Sequence, residues 1–244
     1  MAAEAGRGSP VLRARGTLKL SRDISHPQDS RRIRLLIELG IIFLLMPLAI
    51  RHAVFSWRIP LPMLLQPLMI GLIAYLLWDP TFKLRRELAR GVTQRALLSI
   101  LAIFAIVTVA VTLWMLLEVP HRFLQLPLHA TGLWITIMIL YPLLSVIPQE
   151  LIYRTFFFHR YGPLFGSARW LAILVNGLLF GFAHVIFGSY VSILLTALLG
   201  CLLAWRYDET RSFWAVWLEH SLYGCLIFTV GLGHYFFTGV ASLR

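Results

Sequence analysis

Apolar residues run along this chain in long unbroken stretches, without the alternation of a strand or the one-sided stripe of a soluble helix, and polar residues gather between them. A helix needs roughly 20 apolar residues to cross about 30 Å of hydrocarbon. Stretches at 35–50, 60–78, 97–117, 132–160, 168–187, 190–206 and 213–231 meet or approach that length, which predicts about seven transmembrane helices. The fourth is longer than one crossing requires. Pro142 and Pro148 within it predict kinks, because a proline lacks the N–H that would bond back one turn. Its second half, Gln149 to Arg160, also carries polar groups that a plain lipid-facing helix would not. The sixth stretch is short. Residues 1–34 hold eight Lys and Arg among Gly, Ser and Pro, with no apolar run leading to a cleavage site, so they read as a basic tail and not as a signal peptide. The expected architecture is all-α, a polytopic transmembrane helix bundle over 35–244 preceded by that tail.

Composition reinforces this reading. Of 244 residues, 59% are hydrophobic and 14% charged, and the mean hydropathy is +0.77. Such a chain carries more apolar surface than a soluble domain of its length can bury, which excludes a soluble enzyme as well as a disordered chain. Two cysteines, Cys201 and Cys225, both in apolar runs, are too few for a disulfide framework and read as reduced, packed or lipid-facing thiols. The net charge of +11 would suggest nucleic acid in a soluble protein. Its distribution points elsewhere. With the N-terminus inside, the inner segments hold 18 basic residues and the outer ones four, Arg51, Arg58, Arg122 and Arg244. Lys and Arg concentrate on the cytoplasmic side of short loops, so the expectation is N-terminus in and C-terminus out. The lipid bilayer, anionic headgroups included, is the expected partner, and nucleic acid is not.

An ionisable group inside a span is expensive unless it is paired or faces a wet cavity, so each is a functional candidate. The spans contain Glu38, Glu150, Glu219, His159, His184 and His220. Glu38 and His159 lie near span ends and can reach the headgroups. At about 1.5 Å of rise per residue, Glu150 is roughly 15 Å, His220 roughly 12 Å and His184 roughly 24 Å from the cytoplasmic ends of their helices. Tilt and kinks can absorb such differences, so these three can converge on one cavity. Glu150 and Arg154 are four apart and form either a buried ion pair or part of a site. His184, with Asn176 on a similar face, is either a satisfied core histidine or a catalytic one. Gly177 and Gly181 form a small-xxx-small pair that lets a neighbouring helix approach closely. Glu219 and His220 diverge by about 100° around their helix, so only one of them faces such a site.

Pro148 to Arg154, Phe180 to His184 and Thr210 to His220 together resemble three ordered motifs of the CPBP family, the intramembrane proteases related to CAAX prenyl endopeptidases and bacteriocin-processing enzymes. Those motifs are Glu-Glu-x-x-x-Arg, Phe-x-x-x-His and His-x-x-x-Asn or similar, and the resemblance covers about residues 130–231. It implies an intramembrane endopeptidase acting on a membrane-associated or lipidated peptide or protein, with Gln149, Glu150, Arg154, His184 and His220 as site residues. The chain departs from the motifs twice. Gln149 stands where the family has its first glutamate, and Gly224 where it has a polar residue four after the last histidine. The chain is similar to a bacterial subgroup that shares a Gln-Glu pair, which implies a bacterial inner membrane.

Peptide hydrolysis needs a base for water, a donor for the oxyanion and an acid for the leaving amine. A glutamine amide has no accessible proton affinity near neutral pH, Glu38 is near a membrane face, and Glu219 cannot share the direction of His220. That leaves Glu150 as the carboxylate to activate water. His184 and His220 either hold the oxyanion and shuttle protons or coordinate a divalent metal such as zinc, in which case Glu150 could not also be a free base. No His-Glu-x-x-His spacing occurs, and the metal is left unassigned. The competing reading is a non-catalytic protein of the same fold that binds or presents a hydrophobic partner, favoured by Gln149 and Gly224. A solute transporter would need paired broken helices in two halves, and none stands out.

Overall fold

The computed structural model describes residues 27–59 and 61–236. Seven helices carry the apolar stretches: α1 (Asp29–Ser56), α2 (Leu61–Trp78), α3 (Gln94–Glu118), α4 (Thr131–Arg160), α5 (Arg169–Ala183), α6 (Tyr190–Thr210) and α7 (Phe213–Val230). All but α2 are long and apolar enough to cross a membrane as they stand, α5 being counted with the turn that follows it, and α2 contributes the shorter apolar helix Met63–Trp78. No strand occurs among the described residues. The basic tail lies outside the described residues up to residue 26, and Arg31, Arg32 and Arg34 stand exposed on the opening of α1.

Helix α6 runs four residues past the stretch read from hydropathy because its polar end is satisfied inside the protein. Arg206 meets Glu219 of α7, and Asp208 accepts from Arg169 at 2.7 Å and from Arg211 at 2.7 Å. Arg206 and Arg154, counted above as loop charges, are both buried within helices. Three helices begin on an oxygen cap that satisfies an otherwise orphaned N–H: Thr93 for α3, Ser189 for α6 and Ser212 for α7.

The prolines of α4 do more than bend it. The helix widens into two π-turns, Tyr141–Val146 and Leu151–Phe156, around the short α-turn Ile147–Glu150. A π-turn frees a carbonyl from the regular ladder, and neighbouring helices supply the missing donors. The Trp217 indole of α7 donates to the Pro142 carbonyl at 2.9 Å, and the Asn176 amide of α5 donates to the Tyr153 carbonyl at 2.6 Å. Helix α1 has a π-turn of its own, Ile41–Leu45, just before Pro47. It drives Phe43, fully buried, edge-on against Tyr153, Phe157 and Tyr161 of the α4 region.

Helices α5 and α6 pack at backbone distance. A Cβ at Gly177 would overlap Cys201, one at Gly181 would overlap Ala197, and one at Gly200 would meet Gly177. The small-xxx-small pair thus serves the close approach expected of it. Cys201 and Cys225 are free and half-buried.

Candidate active site

The two π-turns aim consecutive residues of α4 in different directions. Gln149 faces a cavity of about 260 Å³ whose wall also contains Tyr141, Ser145, His184, His220 and Gly224. Its amide donates to the Ser145 hydroxyl at 2.8 Å. Glu150 points away from that cavity into the core, with no exposed surface. There its Oε1 lies 2.7 Å from Nδ1 of His220 on α7, and its Oε2 lies 3.4 Å from Nε of Arg154. Glu150 was expected on the cavity wall beside the histidines. It stands one layer back, behind His220, because the α-turn between the π-turns sends it toward α7.

Hydrogen bonding fixes both imidazoles. A carboxylate only accepts, so Nδ1 of His220 carries the proton toward Glu150, and in the neutral ring Nε2 keeps its lone pair. That Nε2 lies 3.2 Å from the Tyr141 hydroxyl, which donates to it. His184 sits at the C-cap of α5, where its Nδ1 donates to the Phe180 carbonyl at 2.8 Å, leaving its Nε2 available. The turn that follows, His184–Phe187, ends on Gly188 at φ +68°, a left-handed conformation glycine adopts at little cost. Arg51 of α1 ties it down by donating to the Val185 carbonyl at 2.7 Å.

Phe180 organises the group. Its ring is edge-on to His184 at 4.9 Å and to His220 at 5.5 Å between centroids, and Arg154 lies over its face at 4.7 Å. Arg154 also donates weakly to the Gly200 carbonyl at 3.4 Å, while its Nε and Nη1 make no hydrogen bond among the described residues. All five residues read from the motifs are therefore gathered in one place. Gln149, His184 and His220 face the cavity, whereas Glu150 and Arg154 lie behind it.

Glu219, which shares no direction with His220, accepts from Arg206 at 2.8 and 3.2 Å. Glu38 and His159, expected to reach the headgroups, are held by protein: Glu38 by Arg160 at 2.7 and 2.9 Å and by Tyr161 at 2.9 Å, His159 by Asp79 at 3.0 Å. Outside the spans, the Thr81 hydroxyl beside Asp79, followed by His159 and the Thr81 backbone N–H, holds the Asp79 carboxyl down at about 2.

Tyr141 and Ser145 are absent from the residues read off the motifs. The signal was present as a polar stripe at 141, 145 and 149 in an otherwise apolar stretch, a spacing that keeps side chains near one face.

A second cavity of about 380 Å³ lies alongside and shares Leu61, Ser145, Gln149, His184 and Phe187 with the first. Ile42, Met46, Leu65, Leu68 and Leu72 make most of it apolar, and Glu38 stands in its wall.

Among the described residues no three His, Cys, Asp or Glu side chains converge as a ligand set. Both Glu150 oxygens face donors, one of them a guanidinium, and two imidazole nitrogens alone do not complete a tetrahedral site.

The fold and the site together define a polytopic all-α membrane protein with a paired carboxylate and imidazole next to an apolar cavity. Residues 131–226 match the family model described as type II CAAX prenyl endopeptidase Rce1-like, and over that stretch the chain is similar to that family. The match spans α4 to most of α7, the segment that builds the site, and supports a CAAX-type intramembrane endopeptidase in general terms. No curated protein and no solved structure matches the chain.

Proposed function

We propose that the protein is an intramembrane endopeptidase that cleaves a membrane-associated or lipidated peptide, with Glu150 activating water through His220. The observation that carries this reading is the 2.7 Å contact between Glu150 Oε1 and His220 Nδ1, with Nε2 of the same ring at the cavity wall. A buried carboxylate that fixes the tautomer and orientation of an imidazole makes its other nitrogen the base, the logic of hydrolytic triads. In the step, a water proton passes to His220 Nε2 while the water oxygen bonds to the scissile carbonyl carbon. The tetrahedral oxyanion then collapses, the C–N bond breaks, and the imidazolium returns the proton to the leaving nitrogen. Glu150 stabilises the imidazolium throughout, and Arg154 sets a positive charge beside Glu150. His184 presents a second acceptor nitrogen across the cavity, suited to holding the water, and Gln149 contributes an amide at the wall. The apolar cavity that shares this wall suits a lipid-modified or hydrophobic segment.

The test is cleavage of a prenylated peptide ending in a Cys-a-a-X sequence by the purified protein in liposomes, with His220→Ala beside wild type. Cleavage by wild type that is lost in the variant, and that persists in the presence of EDTA, supports the reading. The second reading, a non-catalytic protein that holds a hydrophobic partner, is favoured by Gln149 at the place of the first motif glutamate. It requires the peptide to bind to wild type and emerge intact. We further propose an N-terminus in the cytoplasm of a bacterial inner membrane, on the distribution of loop charges and the Gln-Glu pair. A reporter after Arg244 should be extracytoplasmic and one near Arg90 cytoplasmic.

A further inference from the structure

Gly224 lies one helical turn beyond His220, where the resembled motif carries a polar side chain, and in this structure the space is filled from another helix. A Cβ built at Gly224 would overlap Cε1, Cζ and the hydroxyl of Tyr141 on α4. The tyrosine ring is wedged there, edge-on to Phe228 at 5.5 Å and to His220 at 6.2 Å between centroids. Its hydroxyl is 3.2 Å from His220 Nε2 and belongs to the cavity wall. The placement is supported from outside the pair. Tyr141 opens the π-turn Tyr141–Val146, and the next carbonyl, that of Pro142, is pinned by the Trp217 indole of the same helix that carries His220 and Gly224.

Both histidines direct their Nδ1 protons away from the cavity, to Glu150 and to the Phe180 carbonyl. In their neutral forms they offer it lone pairs and no donor. Hydrolysis needs a donor where the oxyanion develops, and the Tyr141 hydroxyl is the donor that already touches the base. We infer that Tyr141, admitted by the missing side chain at Gly224, takes the place of the motif's polar residue beside His220 and donates its hydroxyl hydrogen bond to the scissile carbonyl oxygen. The inference rests on the peptidase reading above. Before substrate enters, the single hydroxyl proton caps His220 Nε2. Rotation about the Cζ–Oη bond turns that proton to the substrate oxygen and frees Nε2 for the water in the same movement. No bond to hydrogen is broken in this exchange, so the hydroxyl stays neutral and its role is electrostatic.

The experiment compares wild type, Tyr141→Phe, Tyr141→Ala and the exchange Tyr141→Ala/Gly224→Asn on the prenylated peptide in liposomes, with melting temperature and gel-filtration profile as folding controls. Tyr141→Phe keeps the ring in its slot and removes one oxygen, so kcat should fall by about 100-fold or more with KM within about twofold. The exchange, which returns a polar side chain to position 224 once the ring is gone, should recover at least about tenfold of the activity lost in Tyr141→Ala. Wild-type cleavage with an undiminished Tyr141→Phe overturns this inference and leaves the peptidase reading standing. A folded exchange variant no better than Tyr141→Ala overturns the claim that the two positions share one polar place. Intact peptide with wild type overturns the peptidase reading, and this role of the hydroxyl with it.

Discussion

Two buried glutamates, one on α4 and one on α7, meet arginines in different ways. Glu219 and Arg206 form a two-pronged pair at 2.8 and 3.2 Å, and Arg206 has a further partner in Ser99 at 3.1 Å and the Trp205 ring at 4.9 Å. Both carboxylate oxygens are hydrogen-bonded and the arginine is anchored. Glu150 approaches Arg154 at 3.4 Å without an aligned hydrogen bond, and gives its other oxygen to an imidazole that opens on a cavity. Burial and charge are the same at both places. Satisfaction is what separates them: the first pair neutralises two charges that would otherwise be costly in the bilayer, while the second leaves one carboxylate oxygen on an imidazole that opens on a cavity.

Removing the carboxylate charge at the two places should therefore have opposite consequences. Glu150→Gln should lower cleavage by ~10²- to 10⁴-fold, the usual worth of a general base and its orienting partner, while the protein still accumulates as a folded species. If the variant cleaves normally, His220 does not depend on Glu150 as its orienting partner. Failure to accumulate would make the Glu150 pair as structural as the Glu219 pair. Glu219→Ala should instead leave Arg206 buried and unpaired, at a cost of about 3–5 kcal/mol, read as a lowered melting temperature with kcat retained in the folded fraction. Removing both partners, Arg206→Met with Glu219→Leu, should restore most of that loss, since an apolar pair needs no compensating charge. A double variant as unstable as the single one would show that Ser99 or the helix ends depend on Arg206. Gln149→Ala should cost less than about tenfold in rate, because the amide neither accepts a proton nor touches His220. A loss as large as that of Glu150→Gln would make the Gln149 amide a direct participant in the reaction.

The smallest effect belongs outside the bilayer. Asp79 is held at about 2 by Thr81 and His159, below its usual value, so its contribution to stability is complete above the ordinary carboxylate range. It should be lost as pH falls through that range toward 2. Asp79→Asn should remove a slight part of the melting temperature at pH 6 and much less at pH 2, measured in detergent. An equal loss at both values would mean that charge plays no part there.

Much of this was legible in order and little of it in direction. Hydropathy located the seven helices because length in lipid is a one-dimensional constraint: about 20 apolar residues span the hydrocarbon wherever they fall in the chain. The motif residues were recognisable because ionisable side chains are rare inside spans, and the divergence of Glu219 from His220 followed from helical geometry alone. The internal partners of Glu38 and His159 were not legible, since both residues sit at span ends where solvent and protein compete for the same side chain.

What the sequence by itself determined is the set of elements and the list of groups that had to be paired. Which side of the cavity each group occupies was decided only by the tertiary structure. Two π-turns in α4 alter the direction of every side chain after them, and Trp217 and Asn176, from other helices, donate to the Pro142 and Tyr153 carbonyls within them. Gln149 and Glu150 are neighbours in sequence, yet one faces the cavity and the other a histidine 70 residues away. Likewise Gly224 reads in sequence as a missing side chain. It becomes a slot for Tyr141 only when α4 and α7 lie side by side, because the space left by a glycine belongs to whichever neighbour packs against it.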